Sequence, residues 1–412
     1  MTNIFLILDI LLVLLLSPWF GLMALIVLAA SWRRVFGGRD VSQTNPTSRF
    51  LFVIPAHDEA SVIGVTVRSC LAVDYDPDRF QVFVIADNCV DDTAAIAEAA
   101  GARVMVRHDL SRKSKGFALE DFFRGVATDP AIRPFDAFVL VDADTSVAAD
   151  LLRAFDRSLR RGDDFIQGYY TVRNADASWR TRMMTYAFSL ANGVWLLGLD
   201  QIGLSVGLKG NGMCFRASAL DRFPWQAHGL VEDMEFAWNL RIGGERVRFQ
   251  PLAEVYGEMV SRGGAGAASQ RRRWESGRRA LRTAFRRGLW ETPHLSWVEK
   301  VLYSLDLDFP PLSRLMVGLG LASAIGSLGV LYEGNLSATS SGIIATMVGF
   351  WGIFILYILS PIFTLSLPIR YLISLTHLPY YIIWKVSIGL SKKPQGWVRT
   401  PREASSTSSP SH

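Results

Sequence analysis

Three short apolar runs, residues 50–54, 80–85 and 138–141, each lead into carboxylates. Asp58 and Glu59 follow the first, Asp87 the second, Asp142 and Asp144 the third. Uniformly apolar runs of this length read as strands buried on both faces, as in a parallel sheet. Between them, residues 61–73, 92–100 and 115–126 fit helices, and residues 102–106 fit a further strand. Strands alternating with helices predict βαβ units and a doubly wound α/β sheet. Such sheets bind ligands beyond the carboxyl ends of their strands, which is where these acids fall.

The third run ends in Asp142-Ala143-Asp144. Residues i and i+2 of an extended chain point to one side, so the two carboxylates repel unless a cation lies between them. Mg2+ or Mn2+ with a diphosphate suits such a pair, because hard cations take oxygen ligands and bridge phosphates. A helix N-cap at Asp144 beside a solvated turn at Asp142 serves the tripeptide equally well. No G-x-G-x-x-G follows the first strand and no G-x-x-x-x-G-K-[ST] occurs, which disfavours a dinucleotide site and a glycine-rich phosphate cradle.

Further on, residues 150–161 fit a helix and 165–172 a strand. Residues 179–199 carry aromatics and Met with few charges after Arg182, and suit either a core helix or one lying in a membrane interface. Lys209-Gly210-Asn211-Gly212 is a glycine turn feeding a short strand; it is either a plain turn or a place where backbone approaches substrate closely. Glu232 and Asp233 open a helix over 232–242. Acids in a first turn are favoured by the helix dipole, and near a metal-diphosphate site one of them also suits a general base. A Gly/Ala/Ser-rich stretch, 261–269, precedes Gln270-Arg271-Arg272-Arg273-Trp274 and five further arginines up to Arg287. Such a basic helix either rests on anionic headgroups or completes a diphosphate and sugar site, where the planar Arg fork suits phosphate oxygens.

Half of the 412 residues are hydrophobic, too apolar for a wholly soluble protein. Residues 4–30 are apolar except for Asp9, contain Pro18, and suffice to cross a bilayer. Met-Thr-Asn gives no positive leader region and Arg33-Arg34 follows directly, so a retained anchor is expected rather than a signal peptide. The positive-inside rule places Arg33, Arg34 and Arg39 in the cytoplasm and Asp9 near the outer end, where a carboxylate costs less. Residues 312–332 and 343–367 are further spans joined by an outer loop. Residues 370–390 carry Arg370, His377, Pro379 and Lys385 and either lie in the interface or form a fourth span; the basic residues after them favour the former. The expected organisation is an anchor over 1–31, a cytoplasmic catalytic domain over 49–290, transmembrane and interfacial helices over 310–391, and a basic, disordered tail over 392–412. Three cysteines without metal or disulfide spacing predict a reducing compartment. The net charge of +5 comes from clustered basic residues, and no nucleic-acid partner is expected.

The series Ile54-Pro55-Ala56-His57-Asp58-Glu59, Ala86-Asp87-Asn88, Lys115-Gly116, Asp142-Ala143-Asp144, Glu232-Asp233 and Gln270-Arg271-Arg272-Arg273-Trp274 resembles membrane-bound family 2 glycosyltransferases of the cellulose, hyaluronan and poly-N-acetylglucosamine synthase type. The resemblance implies a GT-A-type doubly wound domain inserted between transmembrane helices of the inner membrane. It implies that Glu59 and Asp87 hold a uridine base and ribose and that Lys115 lies near the nucleotide. Asp142 and Asp144 would bind Mg2+ or Mn2+ and the diphosphate, Asp144 more directly. Asp233 would be the general base, with Glu232 its neighbour, and Gln270, Arg273 and Trp274 would line the acceptor mouth and diphosphate. Two positions depart from the pattern: Asp58 stands where Asn is usual, and Val231 where Thr is frequent. The implied reaction is inverting transfer from a UDP-sugar to a growing polysaccharide. The competing readings are a single transfer to a membrane lipid, as in ceramide-type glucosyltransferases, and an inactive scaffold subunit of an export complex. Membrane lipids and export or accessory subunits are the further partners implied.

Overall fold

The computed structural model describes residues 4–36, 46–126, 135–259, 265–333 and 338–378, with backbone alone for residues 126, 265–274, 333 and 338. The expected tail over 392–412, most of the 370–390 segment, and Arg39 lie outside these residues.

Eight strands form one sheet: β1 (Phe50–Ala56), β2 (Phe80–Asp87), β3 (Arg103–Arg107), β4 (Ala137–Leu140), β5 (Thr145–Val147), β6 (Phe165–Val172), β7 (Met213–Arg216) and β8 (Val247–Gly257). Their order is β3-β2-β1-β4-β7-β6-β8-β5. The first four in that order are mutually parallel. Beyond them β7 runs antiparallel to both β4 and β6, so the sheet is mixed rather than wholly parallel. Because β2, β1 and β4 are adjacent and parallel, their acidic carboxyl ends converge on one edge.

Alternation along the strands feeds two cores. Phe50, Phe52 and Ile54 of β1 join Val139 of β4 in one, against the helices Ile63–Leu71 and Leu151–Arg160. Leu51, Val53, Phe138 and Leu140 face the other. That second core continues into the first apolar helix, Ile4–Phe36, through Phe20, Met23 and Ile26. The expectation for residues 179–199 divides accordingly. Helix Trp195–Gln201 is core: a Cβ on Gly198 would lie 2.7 Å from the Ile26 carbonyl oxygen, so the two helices touch backbone to backbone. Helix Trp179–Phe188 packs instead on Arg370–His377, with Trp179 stacked on His377 at 5.0 Å.

Three helices are long and apolar enough to cross a membrane: Ile4–Phe36, Leu312–Tyr332 and Thr339–Thr364. They pack on one another, with Phe20 stacked on Phe350 at 4.6 Å. Asp9 is buried against Gly326, where a Cβ would stand 2.6 Å from its Oδ2. Its carboxyl thus packs against the second apolar helix.

Helix Lys115–Val126 begins where Gly116 meets the 224–231 loop: a Cβ there would lie 2.1 Å from the Ala227 carbonyl oxygen. Backbone cannot yield as a side chain can, so this contact fixes where Lys115 stands. Gly116→Ala is expected to destabilise the fold by about 1–3 kcal/mol through overpacking. Gly125→Ala, in the same helix with nothing within 4 Å of the new methyl, should leave the fold no less stable. Thermal unfolding of the two detergent-solubilised variants checks this.

Candidate active site

The turn after β4 is held by side chains from elsewhere in the chain. Asn211, fully buried, accepts from the Asp142 backbone N–H at 3.2 Å through Oδ1 and donates to Thr145 Oγ1 at 2.8 Å through Nδ2. Thr66 Oγ1 donates to the Ala143 carbonyl at 2.7 Å. The regular strand stops at Leu140, yet exposure still alternates: Ala143 is buried, whereas Asp142 and Asp144 are half-buried on the accessible side.

Lys115 joins four segments at this point. Its Nζ donates to Asp142 Oδ1 at 2.5 Å and to the Gly210 carbonyl at 2.7 Å, and lies 3.7 Å from Glu232 Oε1. Burial pulls the ammonium down, but Asp142 and Glu232 outweigh it and hold Lys115 above its ordinary value. Asp233, beside Glu232 at the start of helix Glu232–Ile242, faces Gly210. Gly210 has φ +77°, and a Cβ on it would lie 3.3 Å from Asp233 Oδ2. The glycine thus supplies both the left-handed turn and the room for the carboxylate. Burial and the Glu232 carboxylate push Asp233 up to about 7. Further along the same helix, half-buried Glu235 accepts from the Gly229 backbone N–H at 2.7 Å through Oε2 and closes the preceding loop.

Asp87 and Glu59 stand at the ends of β2 and β1. Asp87 is buried; its Oδ1 accepts from Arg107 Nη1 at 2.6 Å and from Asn88 Nδ2 at 2.9 Å. Burial pushes its carboxyl up while Arg107 draws it back. Arg107 also binds Asp121 at 2.8 Å, linking β2 and β3 to helix Lys115–Val126. The Glu59 backbone N–H donates to Thr93 Oγ1 at 2.8 Å. Asp58 and Asn88 both take positive φ, 54° and 53°, which Asp and Asn tolerate. That equivalence is why Asp in place of Asn at position 58 is compatible with the turn. Gln270, Arg273 and Trp274 lie on helix Ala265–Glu291, with side chains outside the described residues. The helix itself passes the residue just before Glu232: a Cβ on Gly277 would lie 2.7 Å from Val231.

The Asp142–Asp144 turn offers carboxylate oxygens of the kind a hard cation takes. Lys115 occupies Asp142 Oδ1, so a cation there would rest on Asp144 and the remaining oxygen of Asp142. Among the described residues a separate trio, Asp58, Cys89 and Asp91, also converges within 4.8 Å. Its oxygens serve the turns, Asp58 accepting from the Val90 N–H at 2.7 Å and Asp91 from the Thr93 N–H at 3.0 Å. Lys209, Asn211 and Arg107 carry no short-range motif that singles them out; Asn211 is marked only by its two flanking glycines.

A family model described as "Glycosyltransferase like family 2" matches residues 46–277. The chain is 24% identical over 233 residues to poly-beta-1,6-N-acetyl-D-glucosamine synthase of Staphylococcus aureus, covering 55% of this chain and 53% of that protein. It is 38% identical over 64 residues to the cellulose synthase 1 catalytic subunit of Komagataeibacter xylinus, covering 15% of this chain and 9% of that one. The chain therefore spans about half, or less, of the length of these curated relatives. A mannosyltransferase from Pyrobaculum calidifontis, solved with GDP-Man and Mn2+, shares the fold with a TM-score of 0.53 at 16% identity, covering 93% of this chain and 99% of that chain.

Arg107→Met leaves Asp87 and Asp121 facing a neutral side chain in a largely buried position. Removing one partner of a buried ion pair costs about 3–5 kcal/mol, and chemical denaturation of the variant should register a loss of that order.

Proposed function

The chain belongs to glycosyltransferase family 2, and we propose that it transfers a sugar from a UDP-sugar to a growing polysaccharide by a single, inverting displacement at the cytoplasmic membrane face. The observation that carries this reading is the convergence of Asp142, Lys115, Glu232 and Asp233 at the carboxyl ends of parallel strands. The curated relatives, both polysaccharide synthases by name, support the class of product.

In this reading Asp233 removes the proton from an acceptor hydroxyl as its oxygen attacks the anomeric carbon. The bond to the diphosphate breaks on the opposite side, so an α-linked donor gives a β-linked product. A pKa near 7 suits a base working at neutral pH. Lys115 holds Asp142 and the Gly210 backbone in register beside the diphosphate. Asp144 and Asp142 are the residues that would hold Mg2+ or Mn2+, which supplies positive charge to the leaving diphosphate. The solved relative with GDP-Man and Mn2+ supports a divalent cation in this fold. Glu59 and Asp87 are proposed for the uridine and ribose, and Gln270, Arg273 and Trp274 for the acceptor mouth.

The proposed topology places residues 49–290 in the cytoplasm, between an anchor over 1–31 and the helices over 310–391. Its support is that Arg34, at the basic end of the first apolar helix, donates to Ser366 just beyond the third at 3.2 Å. Those two helix ends therefore lie on one side, as three crossings require in either orientation, and Arg33 and Arg34 favour the cytoplasm for that side. With three candidate spans, transfer of one sugar to a lipid is the second reading. Detergent-purified protein incubated with a panel of UDP-sugars and Mn2+ or Mg2+ should yield a polymer ladder by mass spectrometry. A single glycolipid supports the second reading, and donor turnover undiminished in excess EDTA contradicts the cation requirement.

Asp233→Asn should bind donor normally and lose transfer by about 10²–10⁴-fold, the usual contribution of a general base. Glu232→Gln should be milder. Because the base acts when ionised, wild-type kcat/KM should fall as pH drops through about 7. Isothermal titration of donor alongside initial rates separates binding from chemistry.

A further inference from the structure

We propose that Asn211 is a positioning residue for the cation site: its buried side-chain amide, reaching over from the glycine turn before β7, holds the Asp142–Asp144 turn in the geometry a divalent cation needs. The proposal rests on the reading of Asp144 and Asp142 as the cation's ligands.

The amide holds the turn at both ends. Asn211 Oδ1 accepts from the Asp142 backbone N–H at 3.2 Å, and Nδ2 donates to Thr145 Oγ1 at 2.8 Å. A backbone N–H can only donate, so the orientation of the amide is fixed. Asn211 and Thr145 are both fully buried, and water does not compete for either bond. Within the turn, the Thr145 N–H donates to the Asp142 carbonyl at 3.2 Å. Buried Thr66 donates from Oγ1 to the Ala143 carbonyl at 2.7 Å. Half-buried Asp144 therefore stands between two residues whose polar groups are gripped from outside the turn.

Asn211 can serve as an anchor because its own backbone does not yield. Its carbonyl accepts from Nε2 of fully buried Gln167 at 2.8 Å, and Gln167 Oε1 accepts from the Lys209 N–H at 2.8 Å. The Gly212 N–H donates at 3.0 Å to the carbonyl of Leu140, the last residue of β4. Gly210 and Gly212 take φ of +77° and +65°, and a Cβ on Gly212 would stand 2.6 Å from Val255 Cγ2. The same short turn meets the other half of the site. The Gly210 carbonyl accepts from Lys115, and Gly210 lies against the Asp233 carboxylate. Through Asn211, the turn that faces the proposed base also grips the proposed cation site. A hard cation takes its oxygens at short, closely defined distances, about 2.0–2.1 Å for Mg2+, so slack around Asp144 weakens binding. Groups that orient metal ligands typically change affinity by about 10–100-fold when removed.

The test is Mn2+ binding by the purified full-length chain, with Mn2+ alone as the probe and the electron paramagnetic resonance signal of the free ion as the readout. Asn211→Ala should weaken binding by about 10–100-fold. Thr145→Val, which removes one hydroxyl and keeps the shape, should weaken it by about tenfold. Thr145→Ser, which keeps the hydroxyl, should bind as wild type does. The Mn2+ concentration for half-maximal UDP-sugar turnover should rise in step, and excess Mn2+ should return kcat close to wild type, which a general loss of folded protein would not allow. Thermal unfolding verifies that each variant is folded; should Asn211→Ala not fold, the Thr145 pair decides. Wild-type Mn2+ affinity in folded Asn211→Ala or in Thr145→Val, while Asp144→Ala has lost the ion, overturns the proposal and leaves the cation assignment standing. Undiminished binding in Asp144→Ala overturns both.

Discussion

The site depends on one ammonium. Lys115 Nζ is shared among the Asp142 carboxylate, the Gly210 carbonyl and, at longer range, Glu232. These belong to the turn after β4, the turn before β7 and the start of helix Glu232–Ile242. Asp142, Glu232 and the adjoining Asp233 repel one another when brought this close, and a half-buried position weakens the screening that water would supply. Lys115 offsets that repulsion, and the backbone contact of Gly116 with Ala227 fixes its origin. Its commitment to Asp142 also shapes the chemistry. One oxygen of the aspartate pair is already used, so a cation would lean on Asp144, and Asp233 has no cation bound directly to it.

The catalytic domain and the apolar helices form a continuous body. Residues of the first helix are buried in the same core as β1, β4 and helix Trp195–Gln201. A product leaving a site at the carboxyl edge of the sheet would therefore meet helices already packed against the domain. That arrangement suits transfer coupled to a membrane, whether the acceptor is a polymer or a lipid.

Much of this architecture is legible in the sequence where one physical signal acts alone. The bounds of helices Lys115–Val126 and Glu232–Ile242 and of β6, Phe165–Val172, match the pattern of apolar and polar residues. β8 is not legible, because Pro251 interrupts it and proline argues against a strand interior. The structure resolves the conflict with a bulge: the register with β6 jumps from Gly168↔Gln250 to Tyr169↔Glu254, and the proline sits in the excursion. β5 is only three residues long, too short for periodicity to show. At the site, Asp142, Asp144 and Asp233 are legible because carboxylates after an apolar run or at a helix start are conspicuous. The partners that hold them are not. Asn211 reaches the Asp142 turn from 69 residues away, and no local pattern records such a contact. Arg107 reads as an ordinary strand-end base, yet it occupies Asp87 Oδ1.

The central claim is that one carboxylate, Asp233, drives a single displacement at the anomeric carbon. The stereochemistry of the product tests it most directly. Proton NMR of the first glycoside formed from an α-linked UDP-sugar reports the anomeric configuration through its coupling constant. The account predicts a β-linkage; an α-linked product would require a second displacement, or front-side attack, and would contradict it.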